Sequence, residues 1–141
     1  MFIIRPYLET DLELEDVIAL WEVCDLTRPW NNPEIDIFRK TAQKDGLFLL
    51  AVKDEQLIAT LMGGYDGHRG WINYLAVHPH FQRNGVATAL IQQLEKRLIA
   101  LGCPKLQLLV RKENIDVQSF YEQLGYEEIE VVCFGKRLIA D

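Results

Sequence analysis

Four stretches of the chain carry apolar residues at the three- and four-residue spacing that is typical of an amphipathic helix. The first is predicted to run to about Asp25 and to begin with a capping box formed by Thr10 and Glu13. The second is predicted to begin at Pro33, because Asn32 before it is a good N-cap and proline suits the first helical position. Its predicted apolar face comprises Ile35, Phe38 and Ala42.

The third and fourth stretches each end in a glycine, Gly102 and Gly125, which can close a helix without steric cost. The third is the longest and carries its apolar face at Val86, Leu90, Leu94, Leu98 and Leu101. The fourth is short and carries Val117, Phe120, Tyr121 and Leu124. Both are therefore predicted to pack one face against a core.

Several segments rich in apolar and β-branched residues are predicted to be strands. They cover residues 2–5, 47–53, 57–65, 71–77, 105–110 and 127–138, the last forming one or two strands. Residues 54–56 predict a hairpin, and Gly63 with Gly64 predicts a bulge or a close backbone approach. With no repeat or linker in the chain, this order predicts one α/β domain over residues 1–141 with a mixed sheet.

Charge and composition narrow the function classes. The chain has 21 acidic against 15 basic residues, which argues against bulk nucleic-acid binding and fits either a cationic acceptor or simple solubility. The chain contains no run of eighteen apolar residues, so no membrane span is predicted. The first residues lack the pattern of a secretory signal, so a cytoplasmic protein is expected. Cys24, Cys103 and Cys133 are too few and too scattered for a disulfide framework or a zinc site.

One strand–loop–helix unit, residues 74–88, carries the pattern of an anion site. The unpaired N–H groups at a helix N-terminus bind phosphate, and Gly85 lets the backbone approach such a ligand closely. Small Ala87 keeps the entrance open, while Arg83 and Asn84 add hydrogen-bond donors at its rim. Taken alone, the same pattern also fits a plain loop before an amphipathic helix.

Two segments in the right order resemble the coenzyme A-binding elements of the GNAT family of N-acetyltransferases. Residues 82–87, Gln-Arg-Asn-Gly-Val-Ala, match the family loop Gln/Arg-x-x-Gly-x-Gly/Ala and follow a strand that ends Leu-Ala-Val-His-Pro. Asn114 and residues 119–126 resemble the second element, and the resemblance extends over residues 2–138. Residues 28–34 and 63–70 resemble more narrowly the bacterial YpeA-type acetyltransferases.

The resemblance implies a GNAT-like acyl-CoA N-acyltransferase fold, with two parallel strands splayed apart and acetyl-CoA as the acyl donor. The pantetheine arm would bond the backbone of the first of these strands, and the pyrophosphate would rest on the N–H groups of residues 83–88. The implied donor-binding residues are Leu75, Ala76, Val77, Gln82, Arg83, Asn84, Gly85, Val86, Ala87, Thr88, Asn114 and Tyr121.

The resemblance also implies roles in the chemistry. Tyr121 would protonate the departing thiolate and the Val77 N–H would stabilise the oxyanion, although Tyr121 also fits a core aromatic and Asn114 a helix cap. Many relatives place a glutamate on a central strand as general base. Residues 71–75 and 107–110 contain no carboxylate, which leaves Glu34, Asp36 and Asp66 from other segments as candidates.

A proline-rich loop is predicted to shape the acceptor pocket, where an aromatic beside polar groups suits recognition. Its candidate residues are Arg28, Trp30, Asn31 and Glu34. Trp30 could instead anchor the loop to the core. The acceptor would be a small-molecule or peptide amine, with no metal, nucleic acid or membrane involved; a homodimer stays open. A non-catalytic acyl-CoA sensor is the alternative, and His78 with His80 lacks the further ligands of a metal site.

Overall fold

The fold is described from a computed structural model that covers all 141 residues. The α-helices and strands, in chain order, are β1 (Ile3–Pro6), α1 (Asp11–Val23), α2 (Pro33–Thr41), β2 (Phe48–Lys53), β3 (Gln56–Tyr65), β4 (Gly70–Val77), α3 (Val86–Ala100), β5 (Leu106–Leu108) and α4 (Ile115–Gln123). The chain divides into two compact units, residues 1–108 and 109–141. The first unit holds the whole sheet with α1 to α3, and the second holds α4. None of the helices is both long enough and apolar enough to span a bilayer.

The five strands of the sheet lie side by side in chain order. Each of the first three pairs antiparallel with the next, whereas β5 pairs parallel with β4. A parallel pair needs a crossover connection, and α3 supplies it. The predicted mixed α/β fold is therefore confirmed.

Helices cover both faces of the sheet, because successive residues of a strand point to opposite sides. On one face, Trp21 of α1 belongs to a buried cluster that includes Met62 of β3. The next residue of β3, Gly63, faces Leu94 of α3 on the other side. A Cβ at Gly63 would lie 2.4 Å from Leu94 Cδ1, so the predicted close backbone approach is confirmed at this glycine.

The helix caps follow the predicted pattern with one correction. The Thr10 hydroxyl accepts the N–H of Glu13 at 3.1 Å, and Asn32 caps α2. The Glu13 carboxylate does not complete a capping box on Thr10. It accepts the N–H of Leu8 at 2.6 Å and pairs with Arg5 at 2.7 Å, because an arginine is within reach on β1.

The predicted apolar face of α2 is wrong. Phe38 is 55% exposed, and Ala42 lies just beyond the end of the helix. The buried positions are Ile37, which joins the cluster around α1, and Lys40, whose charge is paired with Asp45 at 2.7 Å. A lysine can occupy a core-facing position when a carboxylate pairs with its ammonium. A prediction that considers only apolar residues assigns such a lysine to the exposed face.

The strands predicted over residues 127–138 are absent, because no residue after Gln123 belongs to a helix or strand. Val131, Val132 and Phe134 are 72%, 78% and 91% exposed. β5 is also shorter than predicted and ends at Leu108. A β-prone sequence becomes a strand only where another strand completes its ladder, and the segment 127–141 has no such pairing.

Candidate active site

The strand β4 changes its surroundings halfway along. Its first three residues, Gly70 to Ile72, pair with β3 on one side and with β5 on the other. From Asn73 to Val77 the pairing with β3 continues, but no residue of β5 is paired. β5 therefore leaves one edge of β4 unpaired along this second half, and we call it the open edge.

A β-bulge interrupts the open half. Thr60 of β3 pairs with Ala76 and Met62 pairs with Asn73, so two steps on β3 correspond to three steps on β4. The extra residue lies at Tyr74–Leu75, and Tyr74 has a φ of 48° in the left-handed region. Most side chains are disfavoured there by about 1–2 kcal/mol. The sequence predicted an irregularity at Gly63 and Gly64; the bulge itself lies on the neighbouring strand.

Contacts on every side of Tyr74 hold it in this conformation. Its ring stacks on Trp21 with centroids 3.7 Å apart, and its carbonyl accepts the hydroxyl of Thr60 at 2.9 Å. The Trp21 indole N–H donates to the same Thr60 oxygen at 2.9 Å. The Tyr74 hydroxyl donates to Asp36 Oδ2 at 2.7 Å. Sequence reasoning missed this network, since its four members come from α1, α2, β3 and β4.

The backbone of Val77 points its N–H to the open edge. His78 donates its N–H to the carbonyl of Ile58 on β3 at 2.8 Å. Since backbone groups of successive residues in an antiparallel pair alternate in direction, the N–H and carbonyl of Val77 face away from β3. The Val77 carbonyl accepts the Cys24 thiol at 3.3 Å and the Gln82 amide at 3.1 Å. Burial raises the pKa of Cys24, so its thiol stays protonated and can donate this bond.

The loop before α3 has the geometry of an anion cradle. Arg83 and Gly85 have φ values of 64° and 78°, both left-handed, and Gly85 is the N-cap of α3. No side chain caps this helix, so its first N–H groups stay available to a ligand. A Cβ at Gly85 would meet no atom within 4 Å, which shows that the space in front of the glycine is open. The cradle fits a phosphate group.

A pocket of about 720 Å³ opens beside β4 in the first unit. Its walls include Asn31 and Asp36 near α2, Tyr65 and Asp66 at the end of β3, and residues of both halves of β4. The β4 residues are Trp71, Asn73, Tyr74 and Leu75. The pocket therefore reaches the strand segment that the sequence predicts to bind the donor.

Of the four residues predicted to shape the acceptor pocket, Asn31 lines it. Arg28 donates to the carbonyls of Asp25 and Thr27 at 2.7 and 3.0 Å and so stabilises the loop after α1. Trp30 is 55% exposed, and Glu34 is exposed on the first turn of α2. These three lie outside the pocket lining.

The two pocket carboxylates differ in their partners. Asp66 closes the turn before β4, where its Oδ1 accepts the N–H groups of Arg69 and His68 and its Oδ2 accepts the Trp71 indole. These bonds lower the pKa of Asp66, first those from Arg69 and His68 and then that from Trp71. Asp36 accepts one hydrogen bond, from Tyr74, and its Oδ1 lies 3.9 Å from the Arg39 guanidinium. Asp36 keeps acceptor capacity that Asp66 has used.

In the second unit, Asn114 and Tyr121 belong to α4. Asn114 is the N-cap and accepts the N–H of Val117 at 3.4 Å. Tyr121 is 6% exposed and packs edge-to-face on Phe120 and Tyr126. Burial raises the pKa of Tyr121, so the phenol keeps its proton at neutral pH.

No group of three or more His, Cys, Asp or Glu side chains is arranged to hold a metal ion. The rings of His78 and His80 lie 5.0 Å apart, and the Nδ1 of His78 accepts the N–H of His80 at 3.1 Å. His78 therefore caps the short 3-10 turn Pro79–Phe81, which leads to the loop before α3.

Solved structures of acetyltransferases are similar to this chain over nearly its whole length. Aminoglycoside 6'-N-acetyltransferase AAC(6')-IG from Acinetobacter haemolyticus is 25% identical with a TM-score of 0.70, over 97% of this chain and 99% of that one. The ribosomal-protein-S18-alanine N-acetyltransferase of Escherichia coli is 24% identical with a TM-score of 0.76, over 92% and 79%. The PaiA N-acetyltransferase of Thermoplasma acidophilum, in complex with coenzyme A, is 19% identical with a TM-score of 0.75, over 94% and 93%.

The family model of the acetyltransferase (GNAT) family matches residues 14–126, which include β4, the loop before α3 and α4. The chain therefore belongs to the acetyltransferase (GNAT) family.

Proposed function

We propose that the protein transfers the acetyl group of acetyl-CoA directly to a primary amine, with the acyl group held along the open half of β4. The observation that carries this proposal is the direction of the Val77 N–H, which faces an edge that β5 leaves unpaired. A pantetheine arm can add to such an edge like a further strand, through the backbone of Leu75 and Val77. Ala76 lies between these two residues; it pairs with Thr60 of β3 and is buried.

The loop before α3 binds the donor's pyrophosphate in this proposal. The phosphates would accept hydrogen bonds from the N–H groups of residues 83–88, at the positive end of the α3 dipole, where no side chain caps the helix and the space at Gly85 is open. Gln82 fixes the start of the loop on the Val77 carbonyl, and Asn84 closes it by donating to the Gln82 carbonyl at 3.3 Å. Arg83, Val86, Ala87 and Thr88 complete the predicted contact set.

In the transfer step, the amine nitrogen bonds to the carbonyl carbon of the thioester and the carbon–sulfur bond breaks. The Val77 N–H stabilises the negative charge that develops on the carbonyl oxygen. Tyr121 gives its proton to the sulfur and regains one from the nitrogen, while the other ammonium proton goes to solvent before attack. Burial raises the pKa of the Tyr121 phenol and also disfavours a bare thiolate, so the departing sulfur needs a proton donor held beside it.

Asn114 holds the start of α4 and, with Tyr121, forms the second donor-binding element in the proposal. The acceptor is a small-molecule or peptide amine. The similar structures include an aminoglycoside 6'-N-acetyltransferase and a ribosomal-protein-S18-alanine N-acetyltransferase, so both classes of amine belong in a screen. The narrower resemblance to YpeA-type acetyltransferases stays a hypothesis.

The experiment has two parts. A panel of primary amines with acetyl-CoA is scored for free thiol release and for acetylated product by mass. With a working acceptor, Tyr121→Phe should lower kcat by about 10²–10⁴-fold, the usual contribution of a positioned acid, and leave the affinity for acetyl-CoA near that of the wild type.

Tyr7→Phe is the matched control, because Tyr7 is a half-buried tyrosine that stacks on Phe48 with ring centroids 5.0 Å apart, outside the site. Its kcat should be unchanged. A wild-type kcat in Tyr121→Phe, with chemistry shown to limit the rate, would refute the acid role. A protein that acetylates no amine but is stabilised against heat by acetyl-CoA would be the non-catalytic acyl-CoA sensor.

A further inference from the structure

The pocket beside β4 has one carboxylate with unused acceptor capacity. Asp36 receives the Tyr74 hydroxyl on Oδ2 at 2.7 Å and has only the Arg39 guanidinium, at 3.9 Å, near Oδ1. Its side chain is 24% exposed and lines the pocket. The hydroxyl fixes the direction of the carboxylate, while Oδ1 can still accept a strong hydrogen bond from a ligand.

The other charges that line the pocket are largely compensated within the protein. Lys40 donates to Asp45 at 2.7 Å and to Gln43 at 3.2 Å, and only 7% of its side chain is exposed. Asp66 uses both oxygens in its turn. The Arg39 side chain is 49% exposed at the rim. Asp36 is therefore the acidic group best placed to meet a ligand in this pocket.

The remaining walls suit an organic cation. Tyr65 and Trp71 also line the pocket, and aromatic rings attract ammonium groups. Asn73 adds an amide, whose oxygen can accept hydrogen bonds. The net charge of −6 favours the approach of cations to the whole protein.

The chemistry decides which ammonium Asp36 would bind. A carboxylate in contact with the attacking amine would stabilise the protonated form, which cannot attack a thioester. A carboxylate that binds a second ammonium of the same molecule improves binding without this penalty. Tyr74 precedes Val77 by three residues, and because the bulge makes three steps on β4 match two on β3, the separation is roughly 7 Å along the strand. The bound charge therefore belongs several bonds away from the reacting nitrogen.

Building on the proposed function, we propose that Asp36, positioned by Tyr74, binds a second ammonium of the acceptor, and that the acceptors are small di- or polyamines. Asp36 is then a specificity-determining residue, and Tyr74 is its positioning residue. A peptide with a single N-terminal amine would leave the carboxylate without its partner and would bind weakly.

The test is titration calorimetry of the coenzyme A-saturated protein with spermidine and, separately, with the monoamine butylamine. Wild type should bind spermidine more tightly than butylamine. Asp36→Asn should weaken spermidine binding by about tenfold to a hundredfold, which is the usual effect of losing a hydrogen bond to a charged group, and should leave butylamine binding unchanged. Tyr74→Phe, which keeps the ring on Trp21, should weaken spermidine binding by about threefold to tenfold.

Asp16→Asn is the matched control, because Asp16 is an exposed aspartate on α1 outside the pocket and undergoes the same change of charge. It should bind spermidine like the wild type. The proposal fails if wild type binds spermidine no better than butylamine, if Asp36→Asn matches Asp16→Asn, or if Asp36→Asn weakens both amines equally. The titration needs no turnover, so a protein that acetylates no amine would refute the proposed function while the titration still decides the role of Asp36.

Discussion

The two halves of β4 have the same backbone direction and the same neighbour, β3, yet they differ in almost every other respect. In the first half, Gly70 to Ile72 is paired on both edges, and the space above Gly70 is filled by Leu98, Cys103 and Leu106. In the second half, one edge is open, the register shifts and Tyr74 is in the left-handed region. The first half has the features of a scaffold, and the second has those of a binding edge.

The difference shows how a strand held in place by its neighbours can leave backbone N–H and carbonyl groups available to a ligand. A β-ladder normally uses every N–H and carbonyl, which leaves nothing for a ligand. By ending β5 opposite Ile72, the fold leaves the N–H of Val77 without a β5 partner, while β3 and the contacts of Tyr74 keep β4 in place. The paired half should therefore respond to mutation through stability, and the open half through donor binding.

The largest effect on stability is expected at Gly63, which pairs with Ile72 in the scaffold half. In Gly63→Ala the new Cβ would lie 2.4 Å from Leu94 Cδ1 and 3.0 Å from the Leu47 carbonyl. Leu94 is fully buried and cannot move aside cheaply, so the free energy of unfolding should fall by about 3 kcal/mol, the upper end for overpacking. Urea unfolding measures this loss.

Gly64→Ala is the control for that substitution. A Cβ at Gly64 would meet only the Lys40 ammonium, at 3.5 Å, an ordinary van der Waals distance, so the free energy of unfolding of Gly64→Ala should stay near that of the wild type. Equal losses in the two variants would show that strand glycines matter here for a reason other than contact with α3.

The sequence predicted the scaffold better than the binding edge, for a physical reason. Helix caps such as Thr10 and Asn32 depend on residues a few positions apart, and they appear as predicted. The bulge at Tyr74 depends on Trp21 and Thr60, which lie far away in sequence. A tyrosine in the left-handed region has no local signature, because tertiary contacts alone hold it there.

The candidate site shows the same division. Local pattern and resemblance predict that Gly85 and the loop around it bind the pyrophosphate; the structure places Gly85 at the N-cap of α3, and the binding itself stays a prediction. Residues near Tyr74 in sequence could not predict that Tyr74 lines the pocket or that its hydroxyl donates a hydrogen bond to Asp36. Over residues 127–138 the prediction of strands was wrong for the converse reason. The local β-propensity is present, but no neighbouring strand pairs with the segment.

A smaller effect on stability is expected at Thr60, which bonds the bulge. Thr60→Val keeps the shape of this fully buried side chain but leaves the Trp21 indole N–H without an acceptor and the Tyr74 carbonyl without its hydroxyl donor. Unfolding free energy should fall by about 2 kcal/mol, and the KM for acetyl-CoA should rise as the bulge relaxes.

Thr60→Ser separates these causes, because it keeps the hydroxyl and loses only a methyl group. It should retain the wild-type KM for acetyl-CoA with a smaller loss of stability, about 1 kcal/mol. If Thr60→Ser and Thr60→Val raise KM equally, packing rather than hydrogen bonding positions Tyr74.

The smallest effect on stability is expected at Gly85, and here the comparison between scaffold and edge is sharpest. A Cβ at Gly85 meets no protein atom within 4 Å, so Gly85→Ala should cost only the strain of a φ of 78°, about 1 kcal/mol. The same Cβ would occupy the space in which the proposed pyrophosphate approaches the backbone. Affinity for coenzyme A, measured by calorimetry, should fall roughly tenfold, the equivalent of one charge-assisted hydrogen bond.

The other end of α3 supplies the matched control, because Gly102 has a φ of 83° and an equally open Cβ position. Gly102 and Cys103 donate their N–H groups to Ile99 and Leu98 at 3.0 and 2.9 Å and so close the helix. Gly102→Ala should therefore lose about the same 1 kcal/mol of stability while its affinity for coenzyme A stays at the wild-type value. If both variants lose affinity in proportion to stability, the loop before α3 acts through folding alone, and the assignment of the pyrophosphate to residues 83–88 is wrong.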